Sequence, residues 1–250
     1  FNENKLIDKG LKSLFNVGYL YLRSIFSALK LPEICQRIKD GEGSLGRMKF
    51  KFDLSAILSC LIYLRILDPG SKKYSFEHKD RLLGFKSDFA IHDVYRALEV
   101  LAGESDFIQS ELYRASSSVV DRNDKVLFYD CTNYYFEIEE AHDDLQYGIS
   151  KQHRPNPIVQ MGLFMDGSGF PLAFSLFPGN QNEQVSLKPL ERKILEDFDL
   201  SEFVVCTDAG LSSNANRRFN SVAGRQFVTT QSIKKLRKHL KDWALDPNGW

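Results

Sequence analysis

Two aspartates stand where hydrophobic β-type runs give out. Asp130 lies in Val126-Leu127-Phe128-Tyr129-Asp130-Cys131-Thr132, and Asp208 in Phe203-Val204-Val205-Cys206-Thr207-Asp208-Ala209-Gly210. A carboxylate at the C-terminal end of a strand lies at the rim of a sheet, where open α/β folds bind their ligands. Brought together, two such carboxylates repel and need a compensating charge. Oxygen-rich sites suit Mg²⁺ and Mn²⁺, so the pair points to metal-assisted phosphoryl chemistry. A single Asp at such a place would read equally well as a turn or helix cap.

Other chemistry is thinly signalled. Cys35, Cys60, Cys131 and Cys206 have no zinc-type spacing; they read as reduced structural thiols, Cys131 and Cys206 acting as small hydrophobes within strand-like runs. Lys plus Arg number 33 and Asp plus Glu 33, so the chain has none of the basic excess usual in a dedicated nucleic-acid binder. The charges are unevenly placed, however. Lys234, Lys235, Arg237, Lys238, His239 and Lys241 crowd together, and Glu137 to Asp144 is acidic. The basic run reads equally as a solvated helix face or as a phosphate contact. No apolar run reaches the roughly 18 residues that span a bilayer. The opening Phe1-Asn2-Glu3-Asn4-Lys5 has neither Met nor a signal-peptide pattern. The expectation is a cytoplasmic protein, not associated with membranes, whose sequence lacks its true beginning.

The elements that must position the aspartates fall in two blocks. Residues 1 to about 120 read as an all-α N-terminal domain. Leu11, Leu14, Phe15, Leu20, Leu22, Ile25, Phe26 and Leu29 form one helical pattern that ends at Pro32. Asp53 caps a helix from Leu54 to Leu67, closed by Asp68-Pro69-Gly70. A third helix holds Val94, Leu98 and Leu101, and a fourth Phe107, Ile108 and Leu112. Such a set suits helix-turn-helix DNA binding or a plain bundle. From residue 121 to 250 the pattern changes. Strands are expected over Lys125–Glu137, Ile158–Asp166, Phe170–Phe177, Phe203–Asp208 and Gln226–Thr230. Asp166-Gly167-Ser168-Gly169 makes a hairpin turn, and helices fill Glu183–Asp197, with a stripe at Val185, Leu187, Leu190, Ile194 and Leu195, and Ser212–Ala223. A meander followed by βαβ crossovers gives a mixed α/β sheet.

That order resembles the ribonuclease-H-like fold, and the local motifs resemble the DDE transposases of bacterial insertion sequences, in the branch with a Tyr-Arg-Glu-Lys helix signature. The segments that carry the likeness are Tyr129 to Glu137, Gly148-Ile149-Ser150-Lys151-Gln152-His153-Arg154-Pro155, Val159-Gln160-Met161-Gly162-Leu163, Gly169-Phe170-Pro171-Leu172, Phe177-Pro178-Gly179-Asn180 and Thr207-Asp208-Ala209-Gly210-Leu211. Each alone is weak; in order over about residues 125 to 230 they are specific. The resemblance implies that Asp130 and Asp208 are catalytic and bind two divalent ions, Mg²⁺ or Mn²⁺, for DNA strand cleavage and strand transfer. It implies as partners double-stranded DNA, both terminal inverted repeats and target, and a second copy of the chain in synapsis. Lys151, His153 and Arg154 form a compact basic loop facing DNA phosphates or solvent. Arg217 and Arg218 follow Asp208 on a helix and reach DNA or water. Thr132 hydrogen-bonds near the first carboxylate or packs on its strand, and Asn180 is assigned to holding its turn rather than lining the cleft.

The chain departs from this pattern in its third carboxylate. No Tyr-x-x-Arg-x-x-x-Glu pattern follows Asp208, and Asp242 and Asp246 are the later acidic residues. The expectation is an incomplete ribonuclease-H-like domain, a truncated transposase impaired on its own and poorly soluble through an uncovered sheet face. Two alternatives stand beside it. One is a non-catalytic DNA-binding transposase remnant. The other is a haloacid-dehalogenase-like phosphohydrolase with Asp130 as nucleophile, although Thr132 occupies the place where that chemistry wants a second Asp.

Overall fold

The computed structural model describes residues 14–47, 49–222 and 224–249, and the chain divides into two compact units, residues 1–119 and 120–250. In the first, helices α1 (Tyr19–Ala28), α2 (Leu31–Asp40), α3 (Leu54–Leu67), α4 (Lys72–Glu77), α5 (Ile91–Gly103) and α6 (Ser105–Ser116) enclose Ile38, Ile57, Cys60, Tyr63, Leu64 and Ala97. Asp53 caps α3 as its sequence requires, accepting a hydrogen bond from Ala56 N at 2.9 Å. Leu11 lies outside the described residues. Pro32 does not end the first helix. Lys30, at φ 54°, ends it in the left-handed region, and Pro32 sits in the first turn of α2, where its missing N–H has no partner to lose.

The second unit contains β1 (Val126–Tyr135), β2 (Ile158–Asp166), β3 (Pro171–Pro178), α7 (Leu187–Asp197), β4 (Val204–Thr207), α8 (Asn214–Phe219), β5 (Gln226–Thr229) and α9 (Lys238–Ala244). The strand order is β3-β2-β1-β4-β5. β1 to β3 form an antiparallel meander, and β4 and β5 join parallel to β1 and to each other. This is the ribonuclease-H-like arrangement, preceded by the helical unit. The antiparallel β2 beside β1 also excludes the dehalogenase-like reading, which needs the nucleophile strand within a parallel sheet.

The alternation of side chains gives the sheet two different faces. Leu127, Tyr129 and Cys131 are buried on one face, the side of α7, whose Leu187, Leu190 and Ile194 are also buried. Lys193 Nζ of α7 meets Ser175 Oγ of β3 there, at 3.3 Å. Val185 was expected in that apolar stripe, but it falls in a 3₁₀ turn before α7 and is exposed. The other face carries Phe128, Asp130, Leu163, Met161, Leu176, Cys206 and Val228. It stands open, with Phe128 46%, Leu176 55% and Val228 61% exposed.

Candidate functional site

Tyr129 pairs with Thr207 at the end of the β1–β4 ladder, so the next residue on each strand is Asp130 and Asp208. The two carboxylates therefore emerge at one level, on neighbouring parallel strands about 4.8 Å apart, and both residues are exposed on the open face. Asp130 Oδ1 accepts the Cys131 N–H at 2.8 Å. Asp208 Oδ1 accepts Leu211 N–H at 3.1 Å and thereby turns the chain out of β4. Among the described residues neither carboxylate is ion-paired.

Two neighbouring loops are held together by main-chain closeness. A Cβ at Gly148 would lie 1.9 Å from Gly179 O, and one at Gly179 would lie 2.1 Å from Ile158 O. Only glycine lets these two loops touch. Gln160 binds the second loop, donating to Gly179 O at 3.1 Å and Gln181 O at 2.7 Å. Asn133 binds the first, donating to Ile149 O at 3.3 Å and accepting Lys151 N–H at 3.2 Å. Between them lies a cleft of about 600 Å³, lined by Tyr147, Lys151, Gln160, Asn180, Glu183 and Gly210. The turn at Pro178 is closed by its own backbone, Gln181 N to Pro178 O at 3.0 Å. Asn180 lines the cleft, contrary to the turn role expected from its sequence.

The expected basic loop does not act as one group. Lys151 Nζ donates to Cys131 O, the carbonyl next to Asp130, and lies 3.9 Å from Glu183 Oε1. The Arg154 guanidinium instead covers the Tyr135 ring at 5.2 Å. His153 occupies a left-handed turn at φ 55° and is exposed. Thr132 shares the Asp130 face, opposite Met161. Arg217 donates from Nη2 to Gln231 Oε1 at 2.5 Å, whereas Arg218 is exposed. Glu183 escaped the sequence reading. Its one signal was an acid three residues beyond the Pro178-Gly179-Asn180 turn, in a stretch that reads as an ordinary helix start.

On the covered side, Tyr129 Oη, Cys131 Sγ and Ser186 Oγ meet in a buried cluster, with Tyr129 to Ser186 at 2.6 Å and Cys131 to Ser186 at 3.2 Å. Burial raises both the phenol and the Cys131 thiol above their ordinary values, so neither supplies a nucleophilic anion near neutrality. All four cysteines are free, with burial pushing Cys35 up to about 12 and Cys60 to about 11.

The donor chemistry of the Asp130 and Asp208 pair suits a hard divalent cation. Each carboxylate leaves one oxygen uncommitted, and such ions take one or two carboxylates with water and phosphate oxygens completing the shell. Among the described residues no group of three or more His, Cys, Asp or Glu side chains is placed to hold a metal. Asp242 and Asp246 are exposed, and the latter accepts Asn248 N–H at 2.9 Å.

The sequence matches no protein-family model and no curated protein. Among solved structures, the chain is similar to the Mos1 transposase paired-end complex with left transposon end, at 13% identity over 82% of this chain and 74% of that chain, TM-score 0.30. It is also similar to a piggyBac transposase synaptic complex with hairpin DNA, at 11% identity over 86% of this chain and 52% of that chain, TM-score 0.44. A Mos1 mariner paired end complex with Mn matches at 12% identity, over 85% and 72%, TM-score 0.30. The strand order β3-β2-β1-β4-β5 itself defines the fold. No helix among the described residues is long and apolar enough to cross a membrane.

Proposed function

We propose that the second unit is the catalytic domain of an insertion-sequence transposase that cleaves DNA phosphodiesters at element ends. The observation that carries the proposal is the register of Asp130 and Asp208, two unpaired carboxylates at one level of adjacent parallel strands in a ribonuclease-H-like sheet. The ordered motifs from Tyr129 to Leu211 support the transposase branch. In this reading Asp130 and Asp208 hold Mg²⁺ or Mn²⁺. The metal, when bound, activates the attacking oxygen and stabilises the leaving one. Lys151, held over Cys131 O, sets a positive charge beside the reacting phosphate. The substrate is double-stranded DNA carrying the terminal repeat, joined to target by two copies of the chain in synapsis.

With no third carboxylate brought to the pair among the described residues, we expect this chain alone to cleave weakly. The same observation favours the second reading, a protein that binds DNA without cutting it. The deciding experiment is Mn²⁺-dependent nicking of a labelled duplex carrying the element end, with Asp130→Ala and Asp208→Ala as controls. Nicking that falls to background in both variants supports the catalytic reading. Retained binding without nicking selects the binding-only reading, and nicking that survives both substitutions removes the proposed site.

A further inference from the structure

Immediately beyond Asp208 the chain forms a second, smaller pocket of about 280 Å³, lined among others by Ala209, Gly210, Ser212, Arg217, Gln231 and Lys235. Its two cations come from separate elements, Arg217 from α8 and Lys235 from the 3₁₀ turn Ile233–Lys235. No acidic side chain lines it among the described residues, and neither cation is ion-paired there. Arg217 is held in place by Gln231 Oε1 through one Nη2 proton, while its buried Nε has no hydrogen-bond partner among the described residues. A guanidinium tethered at one corner, with further donors uncommitted, is a pre-oriented fork for a tetrahedral oxyanion. The Ser232 hydroxyl adds a donor of the kind that accompanies phosphate contacts, while Ser212 Oγ is committed to Ala209 O at 2.9 Å.

The geometry points to a phosphate subsite in this pocket, which takes a backbone phosphodiester of the DNA strand next to the one lying over Asp130 and Asp208. The assignment to DNA rests on the function proposed above; the affinity for an oxyanion does not. Arg218, on the same helix but exposed and outside the pocket, takes no part. The fold thus separates two adjacent arginines that are equivalent in sequence.

The test measures binding of a labelled duplex by anisotropy at several salt concentrations, in EDTA. The whole chain is compared with Arg217→Gln, Lys235→Gln, their double variant and Arg218→Gln. Each pocket variant should weaken binding several-fold and lower the slope of log K against log salt, the double variant by about 0.9 in all for the one phosphate lost, while Arg218→Gln leaves the slope unchanged. The double variant should lose less than the product of the single losses, since both cations serve one phosphate. Lys235 is exposed, so its variant reads out even where Arg217→Gln disturbs folding, which a thermal melt detects. Wild-type slopes in both single variants overturn the DNA subsite, as does an equal loss from Arg218→Gln. Inorganic phosphate alone is the second probe. If it raises the melting temperature of the wild type but not of Arg217→Gln or Lys235→Gln, while DNA slopes stay unchanged in those variants, the pocket holds free phosphate and the DNA assignment is wrong. Because no metal is present, slope losses without any nicking elsewhere keep the subsite and remove the catalytic reading. Nicking with unaltered slopes does the reverse.

Discussion

Arg122 Nε lies 2.7 Å from Asp166 Oδ2, and both side chains are buried, Asp166 completely. Asp166 Oδ1 accepts the N–H groups of Ser168 at 3.0 Å and Phe170 at 2.9 Å, and Arg122 Nη2 reaches Pro171 O at 2.8 Å. One ion pair therefore ties the entry into β1 to the β2–β3 turn and closes the meander on which Asp130 stands. Replacing Arg122 with Met leaves a buried carboxylate without its cation, which costs about 3 kcal/mol or more. Urea unfolding of Arg122→Met should show that loss; a change below about 1 kcal/mol would mean that the backbone donors alone suffice.

Gly162 faces Cys131 across the ladder, and a Cβ there would lie 2.1 Å from Tyr129 Oη. Gly162→Ala should destabilise by about 1–3 kcal/mol through overpacking. Tyr129→Phe loses its Ser186 hydrogen bond and costs about 1 kcal/mol on its own. Combined with Gly162→Ala it also removes the clashing oxygen. The double variant should be more stable than the sum of the single losses predicts, and strict additivity in denaturant would refute the contact.

Glu191 is buried on α7, with neither carboxylate oxygen meeting a donor among the described residues, and burial pushes it up to about 7. Asn220 and Arg225 pull the other way without offsetting it. Among the described residues Asn220 Oδ1 also lacks a partner, and the neutral acid carries a proton that suits it. The folded chain keeps a proton that the unfolded one has lost. Stability is therefore full below the ordinary value of 4.5 and falls as pH rises through about 7. The loss is on the order of 3 kcal/mol. Glu191→Gln should flatten melting temperature against pH over that window; an unchanged profile would assign the dependence to another group.

Mg²⁺ or Mn²⁺ should raise the melting temperature of the wild-type chain through binding linkage. Asp208→Asn should abolish that rise and, without metal, leave stability equal or slightly higher, because two like charges no longer face each other. A metal-induced shift that persists in Asp208→Asn would place the ion elsewhere.

The open sheet face predicts self-association, since contiguous exposed apolar surface favours it. Leu176→Lys with Val228→Lys should lower light scattering at high concentration without lowering the melting temperature. Both positions are more than half exposed, at 55% and 61%. Unchanged scattering would locate association elsewhere.

The sheet was legible because its strands are apolar, β-rich and bounded by strong turns. Ile158–Asp166 and the Asp53-capped helix appear with the expected limits. Helix α2 was missed because Pro32 reads as a stop when it follows an apolar pattern, whereas the deciding event is the left-handed Lys30 before it. Asp208 was legible as a strand end, whereas Asp130 lies inside β1, which runs on to Tyr135 in antiparallel pairing with β2. Only the β1–β4 ladder stops at its level, and that parallel register is encoded by no local pattern. Glu183 and the pairing of Arg217 with Lys235 were hidden for the same reason: each contact joins segments that tertiary packing alone brings together.

The backbone contact between Gly148 and Gly179 gives the cleft that Gly210 lines an already settled shape. Two loops pressed together without intervening side chains, each bonded to the sheet by an amide from Gln160 or Asn133, have little freedom left to surrender when a ligand arrives. Their ordering entropy is lost at folding, so an incoming strand meets a preorganised wall and keeps more of its contact energy as affinity.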